Sequence, residues 1–178
     1  VVISAIIFGL LLIAGAPIVT FLATLVPIGL LGGAFVFTSE YRMTRLEVFF
    51  DPWLSQFGDG YQAVQALIAS GSGGWFGSGL GNSIQKMLYL PDAHTDYIFS
   101  VFAEEFGFVG VVLLIGLYFF ITIRIFMIGR FARDKEQIFA SNLCYGVAGW
   151  MMIQTFINIA GNLSLIPMKG LTLPYMSY

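Results

Sequence analysis

No Asp, Glu, Lys or Arg occurs before Glu40. A charge-free run of that length has few places to go except a bilayer, where a spanning helix needs about 20 consecutive apolar residues. Pro17, which follows Ala14-Gly15-Ala16, divides the run. The pattern predicts a truncated spanning helix over about 1–15, a tight turn, and a full span over about 18–38. Pro27 is expected to kink the second helix, and Gly32-Gly33 to let a neighbouring helix approach closely.

The composition agrees. A chain of 178 residues would suit one soluble domain, but this one is 58% hydrophobic and 10% charged, with 21 Gly and 18 Phe. Its mean hydropathy is +0.87. That is the profile of a membrane protein. A net charge of −2 gives no reason to expect nucleic acid as a partner. The single cysteine, Cys144, excludes an internal disulfide and reads as a small buried hydrophobe. The chain opens on Val1-Val2-Ile3, without an initiator Met, a basic segment or a cleavage-site pattern, and ends on Pro174-Tyr-Met-Ser-Tyr178. It reads as a fragment without a signal peptide. No internal repeat is visible.

Residues 40–97 are different, with six acids (Glu40, Glu47, Asp51, Asp59, Asp92, Asp96) against three bases (Arg42, Arg45, Lys86). A structureless loop this long is uncommon unless it is functional. Within it, about Gly60–Ser70 reads as a short helix with Tyr61, Val64, Leu67 and Ile68 on one face. That face could lie in the membrane interface, with Trp75 and Phe76 as anchors. The glycine-rich stretch Gly71–Gly81 is not a P-loop, because no Gly-Lys-Ser/Thr follows; it reads as a flexible, turn-rich segment. The expected organisation is therefore transmembrane helices over 1–39, an extracytoplasmic loop over 40–105 and a span over 106–128. A cytoplasmic loop over 129–137, a span over 138–159, and an extracytoplasmic loop with the start of a last helix over 160–178 complete it. Arg124, Arg130, Arg133 and Lys135 cluster near the short loop, as the positive-inside rule expects of a cytoplasmic one.

Tyr89-Leu-Pro-Asp-Ala-His-Thr-Asp-Tyr-Ile-Phe99 gathers Asp92, Asp96 and His94, the only histidine, beside an apolar run. Polar chemistry at a membrane is costly and marks a functional candidate. Asp96 is the sharpest. It could serve as a catalytic carboxylate, or His94, Thr95 or Asp96 could cap the helix that follows. Asp92, His94 and Asp96 could instead hold a divalent cation, magnesium or manganese; no dedicated metal site is assigned. Glu104 and Glu105 suit an interfacial helical turn, or at membrane depth would pair with a base. Arg42, Arg45 and Lys86 could touch lipid headgroups or bind a phosphate-bearing lipid.

Gly79-Leu-Gly-Asn-Ser-Ile-Gln-Lys86, the Tyr89–Ser100 run and Glu104-Glu-Phe-Gly107 closely resemble the SEDS family (shape, elongation, division and sporulation proteins). So do Tyr41-Arg-Met-Thr-Arg45 with Asp51-Pro52-Trp53, and Asn158-Ile159 with Lys169-Gly-Leu-Thr-Leu-Pro174. The motifs span about 41–178 and several stand in family order. They look more like the cell-division members than the elongation members. Asp92 departs from the pattern, since the family usually has Glu there.

The resemblance implies an all-α polytopic membrane protein. The chain would be a piece of a ten-helix bundle whose large extracytoplasmic loop contains short helices. It implies a peptidoglycan glycosyltransferase that polymerises lipid II during septal wall synthesis in the bacterial inner membrane. The family's catalytic Asp carries over onto Asp96, with Lys86, Arg42, Arg45, His94 and Thr95 as candidate substrate contacts. Implied partners are lipid II and undecaprenyl-linked glycan, a class B penicillin-binding protein and other division proteins. A lipid II flippase and a non-catalytic scaffold are the competing readings. The absence of charge in 1–39 and 106–123 favours the enzyme over a polar transport path.

Overall fold

The computed structural model describes residues 2–13, 48–58, 60–86, 95–167 and 170–177, with isolated positions 15, 17, 19, 22, 23, 26, 27, 29 and 33. Among these residues the chain is helical and contains no strand. Helix α1 is Val2–Ile13. A single 3-10 turn covers Pro52–Ser55. Helix α2 is Tyr61–Ser72, α3 is Ile98–Asp134 and α4 is Ile138–Asn162. Much of the span expected over 18–38 lies outside the described residues; Val19, Leu22, Ala23, Val26, Pro27, Gly29 and Gly33 within it are helical.

Both α3 and α4 are long and apolar enough to cross a membrane. Only 11% of the most apolar window of α3 and 28% of that of α4 is buried within the chain, so neither is the core helix of a soluble domain.

Two compact units divide the chain: residues 1–39 with 118–153, and residues 40–117 with 154–178. In the first unit α3 continues through Asp134, past the end expected at 128, and the loop expected over 129–137 shrinks to a reversal at Lys135–Gln137. Glu136 takes φ +59 there, and the Gln137 N–H bonds the Ala132 carbonyl at 3.0 Å. Arg124, Arg130 and Arg133 therefore sit on the helix. Gly129 lets the helices come together: a Cβ there would stand 2.9 Å from the Tyr145 ring and 3.0 Å from the Cys144 Cβ.

The second unit is built around a break in α3. Gly107 has φ 66 and ψ −167, a conformation essentially confined to glycine. A break in mid-helix strands N–H groups on one side and carbonyls on the other. The segment Gly73–Gly79 satisfies both. Phe108 and Val109 N–H groups bond the Gly74 and Trp75 carbonyls at 2.9 and 3.1 Å, while Ser78 and Gly79 N–H groups bond the Glu104 and Glu105 carbonyls at 2.9 and 3.1 Å. Gly73, Gly77 and Gly107 make this possible, since a Cβ on any of them would overlap backbone atoms of the opposing strand of chain. The stretch expected to be flexible is thus a fitted backbone seam. Its glycines are there for close approach, a role that their clustering alone does not distinguish from mobility.

Helix α2 packs on α3 through small side chains. Val64, Ala66 and Ala69 are buried, and Ala66 meets Tyr97 and Val101. Ile68, on the face expected to lie in the membrane interface, is 38% exposed. Trp75 and Phe76 are exposed, and Trp75 stands edge-on to Phe108 with ring centroids 5.3 Å apart.

Candidate active site

Asp96 lies just ahead of α3. The Ser100 and Val101 N–H groups both bond the Tyr97 carbonyl, at 3.0 and 3.3 Å. Tyr97 therefore holds the N-cap position, one residue after the stretch expected to supply it. The Asp96 carboxyl faces Gly170, where a Cβ would stand 2.9 Å from Oδ2. Asp96 is half-buried and Gly170 is exposed.

The backbone on both sides of that pair is held by side chains of α4. Asn158 Nδ2 donates to the Asp96 carbonyl at 3.2 Å and to the Leu171 carbonyl at 2.5 Å. Asn162 Nδ2 donates to the same Asp96 carbonyl at 3.0 Å. One turn earlier, Gln154 Nε2 donates to the Thr172 carbonyl at 2.8 Å. Spacing of four along a helix puts Gln154, Asn158 and Asn162 on one face. A further tie runs from the Ser177 hydroxyl to the Thr95 carbonyl at 2.8 Å. The segments 95–97 and 170–177, more than seventy positions apart in sequence, are thereby fastened to one helix face.

Glu104 organises the neighbouring loop. It is 3% exposed, and its carboxylate accepts from the Ser83 hydroxyl at 2.5 Å and from the Ile84 and Gln85 N–H groups at 3.0 and 3.4 Å. Its own carbonyl takes the Ser78 hydroxyl at 3.0 Å. A buried carboxylate is tolerated only with such donors. Glu105, ahead of the break at Gly107, pairs with Lys86 Nζ at 2.7 Å.

Of the expected site residues, Lys86, Thr95 and Asp96 are described, and Arg42, Arg45, Asp92 and His94 lie outside the described residues. Thr95 joins the Asp96 site through its carbonyl. Lys86 is engaged with Glu105. Among the described residues, no three His, Cys, Asp or Glu side chains converge as metal ligands would. The sequence reading used Asn158 only as a motif residue and passed over Asn162 and Gln154. Three carboxamides at intervals of four inside an apolar helix are a readable signal, because each needs partners.

A helical chain with two membrane-capable helices, and an aspartate whose backbone is tied down just ahead of one of them, is the class these features define. The whole chain, residues 1–178, matches the cell cycle protein family of FtsW, RodA and SpoVE, and it belongs to that family. It is 54% identical over 99% of its length to the probable peptidoglycan glycosyltransferase FtsW of Hydrogenovibrio crunogenus, covering 46% of that protein. It is 50% identical over its full length to the protein of the same name from Halomonas elongata, covering 45% of it. The chain thus spans about half the length of these relatives. A chain of a solved peptidoglycan synthase complex, one that coordinates polymerization and crosslinking, superposes with a TM-score of 0.70. The identity is 28%, over 99% of this chain and 48% of that one.

Proposed function

We propose that this chain carries the catalytic segment of a peptidoglycan glycosyltransferase that polymerises lipid II, with Asp96 as its general base. The carrying observation is the Asp96 carboxyl lying close against Gly170, with the backbone on both sides anchored to α4. The names of the relatives, probable peptidoglycan glycosyltransferase, support the same reaction.

Lipid II presents its sugar through an α-linked diphosphate and the glycan product is β-linked, so a single inverting displacement accounts for the chemistry. Asp96 takes the proton of the acceptor GlcNAc 4-hydroxyl. The freed oxygen bonds to C1 of the donor sugar, and the C1–O bond to the lipid diphosphate breaks. An inverting glycosidase needs a second carboxylic acid to protonate its leaving oxygen. A diphosphate leaves as a stable anion, so one base suffices, and cations neutralise the departing charge. Lys86, Arg42 and Arg45 are the candidates for that neutralisation, with His94 and Thr95 as further candidate substrate contacts. A diphosphate that recruits Lys86 competes with Glu105 for it. A divalent cation could share the charge.

On this reading the chain is part of a ten-helix bundle in the bacterial inner membrane. It acts at the division septum with a class B penicillin-binding protein and other division proteins, and a peptidoglycan synthase complex as structural neighbour supports such an assembly. The test is lipid II polymerisation by the full-length protein with its penicillin-binding partner, wild type against Asp96→Asn. Strands from wild type alone sustain the reading. Strands from both remove Asp96 as the base, and strands from neither, with partner binding intact, remove the polymerase.

A further inference from the structure

We infer that Asn158 and Asn162 are a positioning pair that sets where the Asp96 carboxyl stands, so that the rate of the chemical step depends on two amides that never meet substrate. The inference rests on the reading of Asp96 as the base.

Both side chains are buried, Asn158 at 2% exposure and Asn162 at 0%. Their orientation is fixed by chemistry. The partners of Asn162 Nδ2 are the Asp96 carbonyl at 3.0 Å, the Asn158 carbonyl at 2.9 Å and Asn158 Oδ1 at 3.3 Å. All three can only accept, so the amide nitrogen must face them. On its other side Asn162 Oδ1 accepts the Ser100 hydroxyl at 2.9 Å. Ser100 in turn takes the Ser70 hydroxyl of α2 at 3.3 Å.

The geometry serves position more than cohesion. A single carbonyl, that of Asp96, receives both amides, and Asn158 spends its second N–H on Leu171, the residue after Gly170. The two amides thus fix, from one helix, the backbone of the base and that of the Gly170–Leu171 segment its carboxyl faces. Supporting contacts of this kind set reacting groups to within fractions of an ångström, and a 1 Å misplacement can cost about 10²-fold in rate.

The test uses Asn158→Asp and Asn162→Asp in the full-length protein with its penicillin-binding partner, with lipid II as substrate. Each change keeps side-chain shape and removes the donor. A fall of about 10–100-fold in kcat, with the lipid II KM within about threefold and melting temperature and partner binding held, is expected. The limb of the pH–rate profile that depends on Asp96 should move as well. Asn158→Ala and Asn162→Ser, which leave no buried carboxylate, are the second pair where the aspartates prevent folding. Unchanged kcat and pH profile overturn the inference, and so does activity that falls only in step with the folded fraction. Asp96→Asn run alongside separates the two claims. If it is active, the base assignment fails; if it is dead while the amide variants are unimpaired, only the positioning role fails.

Discussion

The Asp96 carboxyl lies so close to the α-carbon of Gly170 that a methyl group does not fit between them, since a Cβ on Gly170 would stand 2.9 Å from Oδ2. Gly170→Ala is therefore expected to push the carboxyl aside while leaving the fold alone, because Gly170 is exposed. Polymerisation should slow by about 10-fold or more, in line with the sensitivity of catalysis to small displacements. Strand synthesis and melting temperature measured on the same preparation check it; full activity would mean that the close approach is unimportant.

Asp96→Asn keeps the shape and removes the proposed base. A loss of about 10²–10⁴-fold in polymerisation is expected, the usual contribution of a positioned base. Gel separation of glycan strands made with the penicillin-binding partner measures it. Residual activity near wild type would leave the base unassigned.

Adjacent carboxylates should behave differently. Glu104→Gln turns an amide toward the Ser83 hydroxyl or the Ile84 and Gln85 N–H groups, leaving buried donors unpaired. The expected cost is about 1–3 kcal/mol. Glu105→Gln loosens a pair whose lysine side chain is 29% exposed, so about 0–1 kcal/mol is expected once solvent screening is allowed for. Thermal melting of the two variants in one detergent should rank Glu104→Gln well below Glu105→Gln.

Gly107→Ala places a side chain in a backbone region reserved for glycine and against the Gly77 nitrogen. A cost of about 1–3 kcal/mol from the conformation alone is expected, before any overlap. Hydrogen exchange at the Phe108 and Val109 amides, now bonded to Gly74 and Trp75, should accelerate. Native protection at both amides would count against the seam.

The sequence reading reached furthest where chemistry is local. The apolar runs identified α3 and α4, because a bilayer demands length and hydropathy that no soluble segment needs. Asp96 stood out as a carboxylate where polar loop meets apolar run, and the motifs around it pointed to the family. What escaped was long-range. Nothing near Gly73 or Gly77 says that their partners are Ala103 to Gly107, about thirty positions on. Asn162 looks like an ordinary polar residue until the Asp96 carbonyl is brought to it from sixty-six positions away. Ala66 and Ala69, which the apolar periodicity of α2 did not single out, are among its buried residues.

The seam at Gly107 also gives the loop a distinctive mutational fingerprint. It is written in missing side chains, so no exchange of one residue's chemistry for another can adjust it; a substitution either leaves the backbones touching or parts them. A saturation scan of this segment should find Gly73, Gly77 and Gly107 intolerant of every replacement, interleaved with broadly permissive positions such as exposed Phe76. Drift in the surrounding sequence can restyle the outer surface of the loop freely while the joint beneath it stays as it is.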